Sequence, residues 1–229
     1  MACGTWEIDR MEKLVPTIRV AIYGESFLRE SMVIEGGSDE VSLPIVFALF
    51  HVRIGERQLL IDAGCDTMPG FDMRSFISPP IALEKLGVRA DDITDVIVTH
   101  AHHDHIDGLR HFKNAQLYIQ RDEYELGRSY IPEGMCVRTF DEVCNVCGIT
   151  VERVGGHTVG SCIAKLTKQG RSYVFCGDEC YLRMCLERHI PTGASYSPER
   201  SRRFVETYGD ARYRTILSHD PELRDGEII

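Results

Sequence analysis

Residues 99–108 read Thr-His-Ala-His-His-Asp-His-Ile-Asp-Gly, and the six positions His100 to His105 hold four histidines and one aspartate. Just upstream, Asp91-Asp-Ile-Thr-Asp95 leads into Val96-Ile-Val98, a short continuous apolar run of the kind that buries both faces in a sheet. The cluster therefore occupies the loop leaving a buried strand, where layered α/β architectures usually place their ligand-binding groups.

Working outward, the same arrangement recurs. Ile149–Val154 reads as a strand ending at Gly155-Gly156-His157, Arg171–Cys176 as one ending at Gly177-Asp178, and Arg214–Ser218 as one ending at His219-Asp220. Four strands thus deliver His or Asp at their carboxyl ends. Earlier, 45–54 and 57–62 flank Gly55-Glu56 as a β-hairpin that runs into Asp62-Ala63-Gly64. Thr17–Tyr23 and Gln116–Gln120 are further strands, Arg121–Arg128 a helix, and Pro80–Leu86 a short helix stopped by Gly87. Residues 66–80 read as an irregular, substrate-facing loop and 134–148 as a long irregular connection. Strands in both halves suit two similar sheet-plus-helix halves facing each other, within one domain spanning 1–229.

Neutral imidazole and carboxylate suit zinc and neighbouring divalent ions, and a catalytic site keeps a position open for water. His100 and His102, one residue apart, can reach one ion from a nearly extended loop, while Asp104 and His105 face a second. His157 completes the first set, His219 completes the second, and Asp178 can bridge both with its two oxygens. Two ions roughly 3.5–4 Å apart would share a hydroxide already deprotonated near neutral pH. The donor set suits Zn2+, Mn2+, Fe2+ and Co2+ alike. His51, His111 and His189 read as packing or surface residues.

Composition narrows the partners. The chain has 229 residues, 43% hydrophobic and 27% charged, which is enough for a substantial core. Its longest strongly apolar run, Leu43–Phe50, is far shorter than the roughly 20 residues a bilayer crossing needs. No secretory leader is visible in residues 1–10, so the expected location is the cytoplasm. A net charge of −9 disfavours nucleic acid, and Arg200-Ser-Arg-Arg203 reads as the solvated face of a helix starting near Ser197-Pro198. Nine cysteines, an odd number in a chain this long, point to reduced thiols. The lone Cys144-x-x-Cys147 has no second pair to complete a tetrahedral zinc site, and Cys176, Cys180 and Cys185 read as packing residues, the alternative being that Cys176 or Cys180 lies near the chemistry.

His100-x-His102-x-Asp104-His105, followed in order by Gly156-His157-Thr158, Gly177-Asp178 and Ser218-His219, resembles the metallo-β-lactamase superfamily, as does Asp62-x-Gly64. The resemblance spans residues 60–220. It implies an α/β (α+β) four-layer αβ/βα sandwich with metals at one edge of two sheets, and it implies that His103 is not a ligand. A true β-lactamase typically has cysteine where Asp178 stands. Hydroxyacylglutathione hydrolases carry a C-terminal helical region, whereas this chain stops ten residues after His219. The tRNA-processing nucleases need an RNA-gripping surface, and diiron flavoproteins generally replace His102 by Glu. N-acyl homoserine lactonases fit best, through Gln120-Arg-x-Glu-Tyr124, Gly156-His-Thr-x-Gly-Ser161 and a tyrosine three residues after the bridging aspartate, Tyr181. That likeness implies that Tyr181 donates to the substrate carbonyl and that Asp104 shuttles a proton to the leaving alkoxide. The expected activity is ring opening of a lactone or similar ester, with a quorum-signal lactone as the substrate the likeness implies. The competing readings are another thioester, β-lactam or phosphodiester substrate, and a metal-bearing binding module without turnover. Residues 125–150 are shorter and richer in cysteine than the lactonase segment, and 66–80 has no counterpart.

Overall fold

Alternation of side chains along the strands sorts this molecule into layers. The computed structural model describes residues 15–226, so the leader reading and both ends of the 1–229 span lie outside the described residues. One sheet takes its strands in chain order: β1 (Thr17–Arg29), β2 (Ser42–Ile54), β3 (Arg57–Ile61), β4 (Asp95–Ile97), β5 (Gln116–Gln120) and β6 (Val137–Phe140). The other has the order β11-β10-β9-β8-β7, from β7 (Val143–Val146), β8 (Ile149–Arg153), β9 (Cys162–Lys168), β10 (Arg171–Phe175) and β11 (Tyr213–Ile216). Strands β1 to β3 are antiparallel and β3 to β6 parallel.

Leu59, Ile61 and Ile97 meet Val151, Cys162 and Phe175 of the opposite sheet, forming the core between the sheets. Their neighbours in sequence, Leu60, Val96 and Val98, cluster instead with Ala82, Leu83, Ile106 and Leu109 on the helical side. On the second sheet, Ile163 and Val174 belong to the cluster that holds Phe204 and Val205 of the helix Pro198–Tyr208. The outcome is the expected four-layer αβ/βα sandwich. A helix does begin at Pro198, and its Arg202 and Arg203 are exposed and paired with Glu35 and Glu199.

One expectation is corrected. Residues 134–148 are not an irregular connection: they supply β6, the last strand of the first sheet, and β7, the outermost of the second. Cys144 lies buried on β7 and Cys147 in the β7–β8 turn with φ 52°, so the Cys-x-x-Cys spacing reflects a hairpin.

Strand direction gathers the functional groups. The carboxyl ends of β3, β4, β8, β10 and β11 precede Asp62, His100, His157, Asp178 and His219 respectively. The turn after β3 is held against the histidine loop: Asp62 has a left-handed φ of 63°, the Ala63 amide donates to the His105 carbonyl at 2.8 Å, and the Gly108 amide donates to the Gly64 carbonyl at 2.7 Å. No side chain fits at 108, where a Cβ would come within 2.1 Å of the Ala63 carbonyl oxygen. Gly108→Ala is therefore expected to cost about 1–3 kcal/mol of stability by forcing these two loops apart. Urea denaturation of the two proteins measures it, and an unchanged midpoint would show the contact to be slack.

Candidate metal centre

His100, His102, His157 and Asp178 bring one ligand atom each into a group within 4.8 Å, and Asp104, His105 and His219 form a second such group. In the first, Nδ1 of His102 stands 3.0 Å from Nε2 of His100 and 2.9 Å from Nε2 of His157. Oδ2 of Asp178 lies 3.7 Å from His100 Nε2 and 3.5 Å from His157 Nε2. Its other oxygen, Oδ1, lies 3.1 Å from Nε2 of His105 and 3.0 Å from Nε2 of His219. Oδ2 of Asp104 is 3.6 Å from each of those two nitrogens. All seven sequence-selected residues thus converge, with Asp178 between the two groups.

The outer nitrogens fix which inner ones carry lone pairs. His157 Nδ1 donates to the Ala194 carbonyl at 2.7 Å and His219 Nδ1 to the Val46 carbonyl at 2.8 Å; a carbonyl can only accept, so the protons sit outside. His105 Nδ1 faces Asp62 Oδ2 at 2.8 Å. The Thr99 hydroxyl gives its proton to Asp62, leaving its oxygen to accept from His100 Nδ1 at 3.1 Å. Lone pairs on the Nε2 atoms therefore point inward, as metal-ligating imidazoles require. A proton on His102 Nδ1 would serve only one of its two neighbours. Oδ1 of Asp178 is buried with no hydrogen-bond partner, a further sign that the donor set fits cations.

Charge agrees with this geometry. Burial, chiefly, holds His100 and His157 below the ordinary imidazole range, which keeps them in the neutral, ligating form. For His105 and His219 burial again acts downward, but Asp178 and the neighbouring carboxylates outweigh it and raise both. Burial also opposes ionisation of Asp178, yet His105, His219 and His100 hold its carboxyl well below the usual range.

The other expectations resolve individually. His103 points away from the group, its Nε2 donating to the Thr67 carbonyl at 2.7 Å. His51 is buried against Gln58, His111 pairs with Asp66 at 2.8 Å, and His189 is exposed. Cys176 and Cys180 are buried thiols that burial pushes well up. The Tyr181 hydroxyl donates to Asp178 Oδ2 at 2.9 Å, and its ring stacks on His219 with centroids 5.3 Å apart. Four supporting residues escaped sequence reasoning: Thr99, Tyr23, whose hydroxyl donates to the Asp104 carbonyl at 2.8 Å, and the buried acids Glu123 and Glu179. Only Glu123 left a signal, as part of Gln120-Arg-x-Glu-Tyr124.

Above the two groups opens a cavity of about 480 Å³. Its polar floor is His102, Asp104, His157, Asp178, Tyr181 and His219, and its walls include Leu28, Ile45, Phe47, Met68 and Phe71.

The profile of the Metallo-beta-lactamase superfamily matches residues 50–217. The chain is 27% identical over 153 residues to an N-acyl homoserine lactonase of Bacillus thuringiensis, covering 61% of each chain. It is 42% identical over 55 residues to metallo-beta-lactamase domain-containing protein 1 of Rattus norvegicus, covering 24% of this chain and 22% of that one. It thus spans less than two thirds of either relative's length. Among solved structures, an N-acyl homoserine lactone hydrolase with N-hexanoyl-L-homoserine bound at its catalytic metal center superimposes with a TM-score of 0.79, at 20% identity, covering 94% of this chain and 100% of that one. A probable metal-dependent hydrolase from Staphylococcus aureus gives 0.77 at 20% identity, covering 91% of each. At these identities the likeness is one of fold.

Glu179 yields a pH test. Burial raises its carboxyl to about 7, against the hydrogen bonds from Ser161 and the His157 and Gly156 amides, while its Oε2 has no partner. The folded form then holds a proton that the unfolded form has lost above its ordinary carboxyl range, so stability falls as pH rises from about 4.5 through 7. Melting of the metal-free protein between pH 5 and 8 should show this decline, and Glu179→Gln should flatten it. Parallel curves for the two proteins would remove Glu179 as its source.

Proposed function

The chain belongs to the metallo-beta-lactamase superfamily, and on that premise we propose that it is a metal-dependent hydrolase that opens a lactone or a similar ester. The observation that carries this reading is the convergence of seven His and Asp side chains, in two sets sharing Asp178, on the floor of an apolar-walled cavity. In this reading His100, His102, His157 and Asp178 would hold one divalent ion, and Asp104, His105, His219 and Asp178 the other, zinc being the ion we favour among those the donors suit. A pair of such ions supplies, when bound, a water deprotonated near neutral pH and Lewis acidity toward a carbonyl.

The chain's own residues do the rest. Burial, then Asp178, pushes the Tyr181 phenol up, so Tyr181 keeps its proton at neutral pH and serves as a hydrogen-bond donor. Once Asp178 is engaged by cations, that hydroxyl is available to an oxyanion at the substrate carbonyl. Asp104, at the cavity floor, would accept the proton of the hydroxyl added to the carbonyl carbon and pass it to the ring oxygen as the C–O bond breaks, leaving a carboxylate and an alcohol. Leu28, Ile45, Phe47, Met68 and Phe71 suit an apolar acyl tail, as in the lactone product bound by the homoserine lactone hydrolase. An N-acyl homoserine lactone, hence quorum quenching, is the substrate class we favour.

The wider setting belongs to the same proposal. We take residues 1–229 as one hydrolase domain acting in the cytoplasm. The eight cysteines among the described residues are all free thiols, which suits a reducing compartment. No helix among the described residues is long and apolar enough to cross a membrane. The charge of −9 speaks against a nucleic-acid partner.

N-acyl homoserine lactones of graded chain length, assayed for ring opening with and without Zn2+, test the proposal. Metal-dependent hydrolysis is expected; metal binding with no turnover of lactones, thioesters, β-lactams or phosphodiesters would identify a binding module instead. Asp178→Ala is expected to abolish turnover and weaken metal loading. Tyr181→Phe should lower kcat/KM by up to about 10³-fold, a few kcal/mol of transition-state stabilisation. Full activity in Asp178→Ala would contradict the two-ion mechanism.

A further inference from the structure

Glu123 is fully buried and belongs to neither metal-ligating group. It stands in the first turn of the helix Arg121–Gly127, whose N-cap Gln120 accepts from the amides of Asp122 at 2.6 Å and Glu123 at 3.3 Å. Its two oxygens face two different loops. Oε2 accepts from the Ala101 amide at 2.7 Å, the residue between His100 and His102. Oε1 accepts from the Thr158 hydroxyl at 2.6 Å and the Gly160 amide at 2.8 Å, just beyond His157. One carboxylate therefore joins segments more than 50 residues apart, at the place where His102 Nδ1 and His157 Nε2 approach to 2.9 Å.

Packing leaves this joint no slack. A Cβ at Gly160 would stand 2.1 Å from Gln120 Oε1, and one at Gly127 would stand 2.4 Å from Ile106 Cδ1 and 3.1 Å from Ala101 Cβ. An apolar side chain could fill the same space without the cost of burying a charge. It could not, however, supply acceptors to three donors on two loops. The charge also has a use beside a pair of divalent cations, whose four positive charges exceed those of the ligand carboxylates Asp104 and Asp178.

We propose that Glu123 is the positioning residue of the first metal set, clamping the 100–102 loop to the 157–160 loop and so fixing His102 against His157. This rests on the metal-dependent reading above and adds to it a residue that touches neither metal nor substrate. Glu123→Gln tests it, because either orientation of the amide sets its NH2 against an obligate donor, the Ala101 or the Gly160 N–H.

Metal-free protein is titrated with Zn2+ against a chromophoric chelator. Wild type should take up two ions; Glu123→Gln should hold one with unchanged affinity and the other about 10–100-fold more weakly. The weakened ion is assigned by combination. Added to His219→Ala, Glu123→Gln should weaken the remaining ion by the same factor; added to His102→Ala, it should have no further effect. Two ions at wild-type affinity in Glu123→Gln, or equal weakening of both, would overturn the inference while leaving the metal reading intact. A wild type that takes up no Zn2+ would overturn that reading, and the inference with it. If Glu123→Gln does not melt cooperatively, Thr158→Val removes one donor and should still weaken one ion severalfold; unchanged affinity there also overturns the proposal.

Discussion

With its Nδ1 proton committed to the Ala194 carbonyl, His157 brings a bare Nε2 to 2.9 Å from Nδ1 of His102. Such an approach of two imidazole nitrogens is unfavourable unless something positive lies between them. Around Asp178 the situation is repeated, with the Nε2 atoms of His105 and His219 at 3.1 and 3.0 Å from one oxygen and those of His157 and His100 at 3.5 and 3.7 Å from the other. Protons or cations can relieve it. Burial lowers His100 and His157 and so disfavours protons on these two, whereas the acids around His105 and His219 favour protons on those. The two sets are thus electrostatically unequal before any ion arrives, although one carboxylate serves both.

Holding such a cluster demands rigid surroundings, and buried carboxyl groups supply much of them. Asp62, Glu123 and Glu179 are buried behind the ligands, and each ties two or more loops. Asp62 receives the Thr99 amide at 2.8 Å and faces His105, Glu123 joins 101 to 158 and 160, and Glu179 takes the amides of Gly156 and His157 at 3.1 and 3.2 Å. Each lies close in sequence to a strand end. The fold supplies the positions by pointing five strand ends at one edge; the buried acids convert that coarse placement into ångström-level geometry.

This division explains what could be read from the sequence. The ligands were legible because metal ligation restricts side chains to a few types, here His and Asp, and each of these follows a strand, so chemistry and fold together constrain identity and place. The parallel strands β4 and β5 were legible from their apolar runs. Residues 134–148 misled because β6 and β7 are four-residue strands whose exposed alternate positions, such as Arg138, Val143 and Asn145, carry little periodic signal. β9 also went unread, since Lys165, Thr167 and Lys168 interrupt its apolar half. Glu123 and Glu179 gave no warning of burial: a glutamate in a helix or after a turn is ordinarily solvated, and only the three-dimensional meeting of loops shows what each accepts from.

The same division separates reaction from substrate. The polar floor of the cavity is fixed by groups from four strand ends and tolerates almost no displacement, since the ligand nitrogens and oxygens sit within 4.8 Å in each set. Its walls come from elsewhere: Leu28 from the far end of β1, Met32 from the short helix after it, and Met68 and Phe71 from the loop preceding the helix Pro79–Lys85. None of these wall residues is required by the chemistry, and the loop at 66–80 is the stretch for which the sequence offered no counterpart. That loop is nevertheless moored to the centre, by His103 on the Thr67 carbonyl at 2.7 Å and by His111 on Asp66 at 2.8 Å. His103, the one histidine of the opening cluster outside both ligand groups, thereby links the floor to the loop that builds part of the cavity wall.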